Sequence, residues 1–140
     1  MNDIRWRQRF QNYDKAFLLL KTAFEGREPD SFSDLEKEGL VQRFEYSFEL
    51  GWKVMKDVLE YNGVEIEKPI GPRSVIKAAF ASGLVDEGQV WIDMMLHCNF
   101  LSHTYDSKEF EFVLPEIKTR YLAAFQKLRD GLAVKMTEKE

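Results

Sequence analysis

The residues best equipped for chemistry lie in one stretch, Trp91 to Asp106, which reads WIDMMLHCNFLSHTYD. Its polar end carries Cys98, Asn99, Ser102, His103, Thr104 and Tyr105. Steps of three or four from Trp91 through Met94, Met95 and Cys98 to Leu101 or Ser102 trace one apolar or small face of a helix. Asn99 and His103 stand four apart, so their side chains stack on a neighbouring face. A hydrogen-bonding cluster beside a buried stripe is either a satisfied polar contact inside a bundle or a ligand site. Gln42, Glu45, Glu49 and Lys53 form a second polar row. Glu49 with Lys53 is a favourable pair at helical spacing, whereas Glu45 above Glu49 is repulsive. Such a row either faces solvent or faces a cleft in which a carboxylate orients an imidazole.

Other chemistries fit poorly. His97 and His103 are six apart and point to different sides, and Cys98 has no second cysteine, so no metal-ligand pattern is present. Five residues turn a helix by about 500°, so Cys98 and His103 do not face each other as nucleophile and base. There is no glycine-rich phosphate loop and no paired-aspartate motif for metal-dependent phosphoryl transfer.

Helices must position these groups. In the first, Trp6, Phe10, Tyr13, Phe17, Leu20 and Phe24 make a heptad-like seam closed by Gly26. Ser33-Asp34-Leu35-Glu36 is a capping box opening a second helix of nearly thirty residues, ended by Asn62-Gly63. Its stripe is Leu40, Phe44, Phe48, Trp52, Met55 and Leu59. After a connector from Val64 to Gly71, Pro72 opens a short helix ending before Gly83. Asp86 is the expected cap of the fourth helix, and Asp106 or Ser107 that of the fifth. The fifth buries Val113, Ile117, Tyr121, Phe125, Leu128 and Leu132, and Pro115 either kinks it or marks its start. Beyond Val134 the chain is charged and is expected to fray. Long amphipathic helices without credible strands predict an all-α, up-and-down four-helix bundle with one additional short helix, a single domain over residues 1–140.

Length and composition agree. A chain of 140 residues suits one core. A net charge of −4 disfavours a broad nucleic-acid surface. The lone cysteine excludes an internal disulfide. With no apolar signal run at the start and no long apolar span, the expectation is a cytoplasmic protein. Aromatic content of 14% exceeds the needs of one small bundle and predicts a second buried face, hence a homodimer.

Taken together, the chain resembles the nucleotidyltransferase substrate-binding protein family, a branch of the HEPN superfamily of helical bundles. The matching pieces are Ile4-Arg5-Trp6 with Arg9-Phe10, Phe44-Glu45 with Glu49-Leu50 and Trp52, then Trp91, Met94, Asn99 and Ser102-His103-Thr104-Tyr105. The resemblance implies a stand-alone counterpart of the helical substrate-binding domain of antibiotic nucleotidyltransferases. Its partner would be a separate small nucleotidyltransferase, which would hold the nucleotide and the divalent metal, leaving no cofactor in this chain. The implied substrate-binding set is Glu45, Glu49, Asn99, Ser102, His103 and Tyr105. The wider superfamily includes metal-independent ribonuclease toxins with an Arg, four to six residues, then His. By that resemblance His103 would be the acid/base, and Tyr105 the residue that a nucleotidyltransferase antitoxin modifies with AMP. Cys98 occupies the Arg position, and a thiol cannot give a phosphate the bidentate bonds of a guanidinium. The expected role is therefore a substrate-binding subunit of a two-component nucleotidyltransferase. The alternatives are a ribonuclease toxin and a structural oligomerisation bundle.

Overall fold

The computed structural model describes the backbone of residues 2–101 and 107–138. Ser102, His103 and Tyr105, on which part of the expected site falls, lie outside the described residues, as does Asp106, one of the two expected caps. The helices are α1 (Asn2–Phe24), α2 (Asp34–Tyr61), α3 (Pro72–Ala81), α4 (Gly88–Leu101), α5 (Ser107–Glu116) and α6 (Leu122–Thr137). A 3₁₀ turn, Pro29–Ser31, precedes α2, and a π-helical segment, Ile117–Tyr121, joins α5 to α6. No strand forms among the described residues. The architecture is the expected all-α bundle, with α3 as its short extra helix.

The helix ends follow local chemistry. Ser33 Oγ accepts from the Glu36 N–H at 3.2 Å, and the Ser33 N–H donates to Glu36 Oε1 at 2.9 Å. Those reciprocal bonds satisfy two of the donors that a helix start leaves open. Arg27 Nη1 adds a bond to Glu36 Oε2 at 2.9 Å, and that hydrogen bond first, then the Ser33 N–H, holds the Glu36 carboxyl down at about 2. Gly63, at φ 75°, supplies the left-handed turn after α2, where the Val64 N–H reaches the Leu59 carbonyl at 2.9 Å.

The seams read from sequence are the core. Every residue of the α1 seam is buried, and so are Val113, Ile117, Tyr121, Phe125, Leu128 and Leu132 of the last helices. In the α2 stripe only Trp52 is part-exposed, because its indole N–H donates to Glu49 Oε2 at 3.1 Å. At the centre Phe44 stacks on Tyr121 (5.4 Å between ring centroids, 9° between planes), while Phe125 meets Trp91 edge-on at 5.5 Å. Tyr13 contributes a ring edge to Phe125 and donates its hydroxyl to the Phe125 carbonyl at 2.7 Å. Each fully buried aromatic adds roughly 1.5–3 kcal/mol of transfer free energy. Arg9 Nε lies 3.0 Å from the buried Asp57 carboxylate, pinning α1 to α2.

Close approach of α4 to α2 depends on Gly51. A methyl group there would stand 3.2 Å from two atoms of the Trp91 ring and 3.2 Å from Tyr13. A side chain at this position is accommodated only if both rings give by a few tenths of an ångström.

Three details depart from the sequence expectations. The fourth helix begins at Gly88, two residues after Asp86, which instead sits 4.0 Å from Lys127. Pro115 is inside a helix that started at Ser107, so it is not that helix's beginning. Its missing N–H is followed at once by the wider π turn, in which the Leu122 N–H bonds the Ile117 carbonyl. Finally, α6 runs past Val134 to Thr137. Arg7 Nη1 donates to the Met136 carbonyl at 2.7 Å and Nη2 to that of Glu138 at 3.2 Å, an anchor from the opposite end of the chain. Among the described aromatics, Tyr46, Tyr61, Phe80, Phe100 and Phe112 are exposed.

Candidate functional site between α2, α4 and the π turn

Helix α2 brings Glu45 and Glu49 to one side, and α4 brings Cys98 against them. The Cys98 thiol is pushed well above its ordinary value, first by burial and then by the charges of Glu45 and Glu49. A thiolate is thus doubly disfavoured, which fits Cys98 as a packing group rather than a nucleophile. Glu45 is half-buried, and desolvation raises its carboxyl. Glu49 is exposed, tied to Lys53 Nζ at 3.2 Å and to the Trp52 indole. These two glutamates differ in role: one is a desolvated acceptor that keeps its proton longer, the other an ion-paired carboxylate fixed in direction. The four-residue row does not act as a unit, since Gln42 turns away to the α1 side.

Asn99 is exposed at the end of α4, one residue beyond Cys98. Of the six expected site residues, the structure thus places Glu45 and Glu49 together beside Cys98, and Asn99 on the same helix as that thiol.

A second polar group lies beside Cys98, and the sequence had not singled it out. His97 Nδ1 lies 2.5 Å from the Tyr121 hydroxyl, with the two rings edge-to-face at 5.7 Å. Burial pushes the Tyr121 phenol up; Arg120 opposes the shift, while Asp93, Glu116 and Cys98 add to it. A phenol that keeps its proton can donate to Nδ1, which leaves the ring proton of neutral His97 on Nε2. Arg120 braces the pair: Nη2 bonds Asp93 Oδ2 at 2.7 Å and Nη1 bonds Glu116 Oε2 at 3.0 Å. The Arg120 hydrogen bond, then that of Gln89, holds the Asp93 carboxyl below its usual range. Because Arg120 is engaged by two carboxylates, it is a poor substitute for the guanidinium absent at position 98. The i,i+4 spacings Asp93–His97 and Glu116–Arg120 were visible in the sequence and would have flagged both halves of this network.

The described residues on this side therefore offer carboxylate acceptors, an imidazole N–H and the Asn99 carboxamide. Such groups suit a ligand carrying hydroxyl or amino donors. No cluster of three metal-binding side chains occurs among the described residues, and no described helix is long and apolar enough to cross a membrane.

Comparison with known proteins gives the class of this long-helix bundle. The family model described as nucleotidyltransferase substrate binding protein like matches residues 8–134. The chain belongs to that family. A Haemophilus influenzae protein, whose solved structure is described as revealing the fold of a substrate binding domain of a nucleotidyltransferase, superposes with a TM-score of 0.75. It is 23% identical, with 89% of this chain and 98% of that one covered, and that likeness speaks to fold. A Thermus thermophilus protein of solved structure is 27% identical, with a TM-score of 0.67 over 90% of this chain and 99% of its own. Among curated proteins, the probable ribonuclease HepT of Haemophilus influenzae is 27% identical over 92 residues, which is 64% of this chain. The match spans 63% of that relative's length.

Proposed function

We propose that this chain is the substrate-binding subunit of a two-component nucleotidyltransferase. It would hold an acceptor in the α2–α4 cleft while a separate small subunit supplies the metal-binding carboxylates and the nucleotide. Family membership over residues 8–134 carries the proposal. The chemistry of the cleft supports it: Glu45 and Glu49 are acceptors for hydroxyl or amino groups, and a protonated, buried thiol stands where a phosphate-gripping arginine would be needed for RNA cleavage. Ser102, His103 and Tyr105 complete the proposed set, and a homodimer in the cytoplasm is the proposed working form.

The similarity to the probable ribonuclease HepT favours one other reading, a HEPN ribonuclease toxin whose nucleotidyltransferase partner is its antitoxin. In that case His103 would be the acid/base and Tyr105 the site of AMP modification. One experiment separates the two. Purified chain and its His103→Ala variant are assayed for RNA cleavage, and both are titrated with the neighbouring small nucleotidyltransferase. The substrate-binding role predicts a complex and no His103-dependent cleavage. Robust cleavage that disappears in His103→Ala would establish the toxin instead.

A further inference from the structure

A groove on the far side of α2, along the seam with α1, has the makings of a second site. Its volume is about 570 Å³, within the range of small-molecule pockets. One wall is Asn12, Lys15 and Leu19 of α1; the other is Gln42, Arg43 and Tyr46 of α2. The seven-residue step from Asn12 to Leu19 makes the wall about 10 Å long at 1.5 Å per residue. Ala16 and Gly39 line it with small side chains, and a methyl group at Gly39 would meet nothing within 4 Å. The floor is therefore open to a flat ring.

The groove carries positive charge that no acid offsets locally. In a chain of net charge −4, several basic side chains of the bundle pair with acids: Arg9 with Asp57, Arg27 with Glu36, Lys37 with Glu111, Arg120 with Asp93, Arg129 with Asp14. Lys15 and Arg43 have no acidic partner among the described residues. No acidic residue lines the groove. Arg43 is nevertheless aimed, because Nη1 donates to the Leu19 carbonyl at 3.1 Å and fixes the guanidinium across the seam. Tyr46, 62% exposed, lines the same groove, with Leu19 57% exposed on the α1 wall. Leaving both in water has no packing benefit for the bundle.

We propose that this groove binds a nucleoside phosphate. The phosphate would be held by Lys15 and Arg43, a base would stack on the Tyr46 ring, and the carboxamides of Asn12 and Gln42 would meet the base edge. Cations suit the phosphate, an exposed aromatic suits any base, and carboxamides pair with the donor–acceptor edge of adenine. The groove is independent of the α2–α4 cleft and of the function proposed for it, since Tyr46 and Glu45 project from different sides of α2.

The test is heteronuclear shift mapping of the full chain titrated with AMP, adenosine and inorganic phosphate in parallel. The expected result is saturable shifts at Ala16, Leu19, Gly39 and Tyr46 with AMP, and binding at least about tenfold weaker for adenosine or phosphate alone. Lys15→Gln with Arg43→Gln should weaken AMP binding by about tenfold or more, as should Tyr46→Ala, while Tyr46→Phe retains it. All three side chains are solvent-facing, so the variants should keep the wild-type melting temperature. Absence of shifts in this groove at millimolar AMP would overturn the proposal. So would shifts confined to the Glu45–Cys98 side, or unchanged affinity in the double cation variant.

Discussion

Substituting Gly51 by Ala places one methyl group 3.2 Å from the Trp91 ring at two atoms and 3.2 Å from Tyr13. Both rings are essentially fully buried, and Tyr13 is further held by its hydrogen bond to the Phe125 carbonyl. To admit the methyl group, each ring must give by a few tenths of an ångström within a packed core. Replacing glycine in a helix interior by alanine ordinarily stabilises by about 1 kcal/mol. Overpacking a pinned core costs about 1–3 kcal/mol, so the net expectation is a loss of about 1 kcal/mol. Gly131 of α6 is the internal control, since a methyl group there meets nothing within 4 Å. Gly131→Ala should gain about 0.5–1 kcal/mol from helix propensity alone. Urea denaturation of the two variants should therefore show opposite signs for the same chemical change. A second readout ties the contact to the cleft. Trp91 and Cys98 share α4, so pushing Trp91 away from α2 should loosen Cys98 from Glu45 and Glu49 and speed alkylation of the thiol. A stabilised Gly51→Ala with wild-type thiol reactivity would refute the close-packing account of how α4 is positioned.

Tyr13→Phe removes a buried hydroxyl donor and should cost about 1 kcal/mol in urea unfolding. Tyr121→Phe keeps the stack on Phe44 but strips His97 Nδ1 of its partner; a loss of about 1–2 kcal/mol in urea unfolding is expected. Carbon-detected pH titration should find Glu36 near 2 and Glu45 above the ordinary glutamate range. The signs are opposite: stabilisation through Glu36 is present above the ordinary value and lost as pH falls towards 2, whereas the Glu45 contribution is present in acid and lost as pH rises through its raised value. Two coincident, ordinary midpoints would contradict both assignments.

The periodic parts of this structure were legible because each seam residue obeys a local rule. Trp6 to Phe24, Leu40 to Leu59 apart from the part-exposed Trp52, and Val113 to Leu132 bury as their spacing requires, and Ser33 with Glu36 caps as its motif requires. What escaped depends on partners distant in sequence. His97 meets Tyr121 across 24 residues, and that meeting passes through a π turn whose extra residue per turn shifts the register of the last helix. Arg7 anchors the C-terminal turn from the opposite end of the chain, which no window around Val134 could reveal. The row from Gln42 to Lys53 looked like one face, yet α2 packs between two neighbours, so Gln42 joins the α1 groove while Glu45 and Glu49 face Cys98. Of the expected site, Glu45 and Glu49 come together, and Asn99 follows Cys98 on α4.

The most direct test of the account is nucleotide transfer by the proposed small nucleotidyltransferase partner, measured with wild-type chain and with the Glu45→Gln, Glu49→Gln double variant over a series of acceptor concentrations. If the α2–α4 cleft presents the acceptor, the wild-type chain should activate transfer. The double variant should raise the acceptor KM by about tenfold, the loss expected for charge-assisted bonds, with kcat and melting temperature nearly unchanged. Transfer that proceeds equally well without this chain, or with the double variant at wild-type KM, would contradict the central claim.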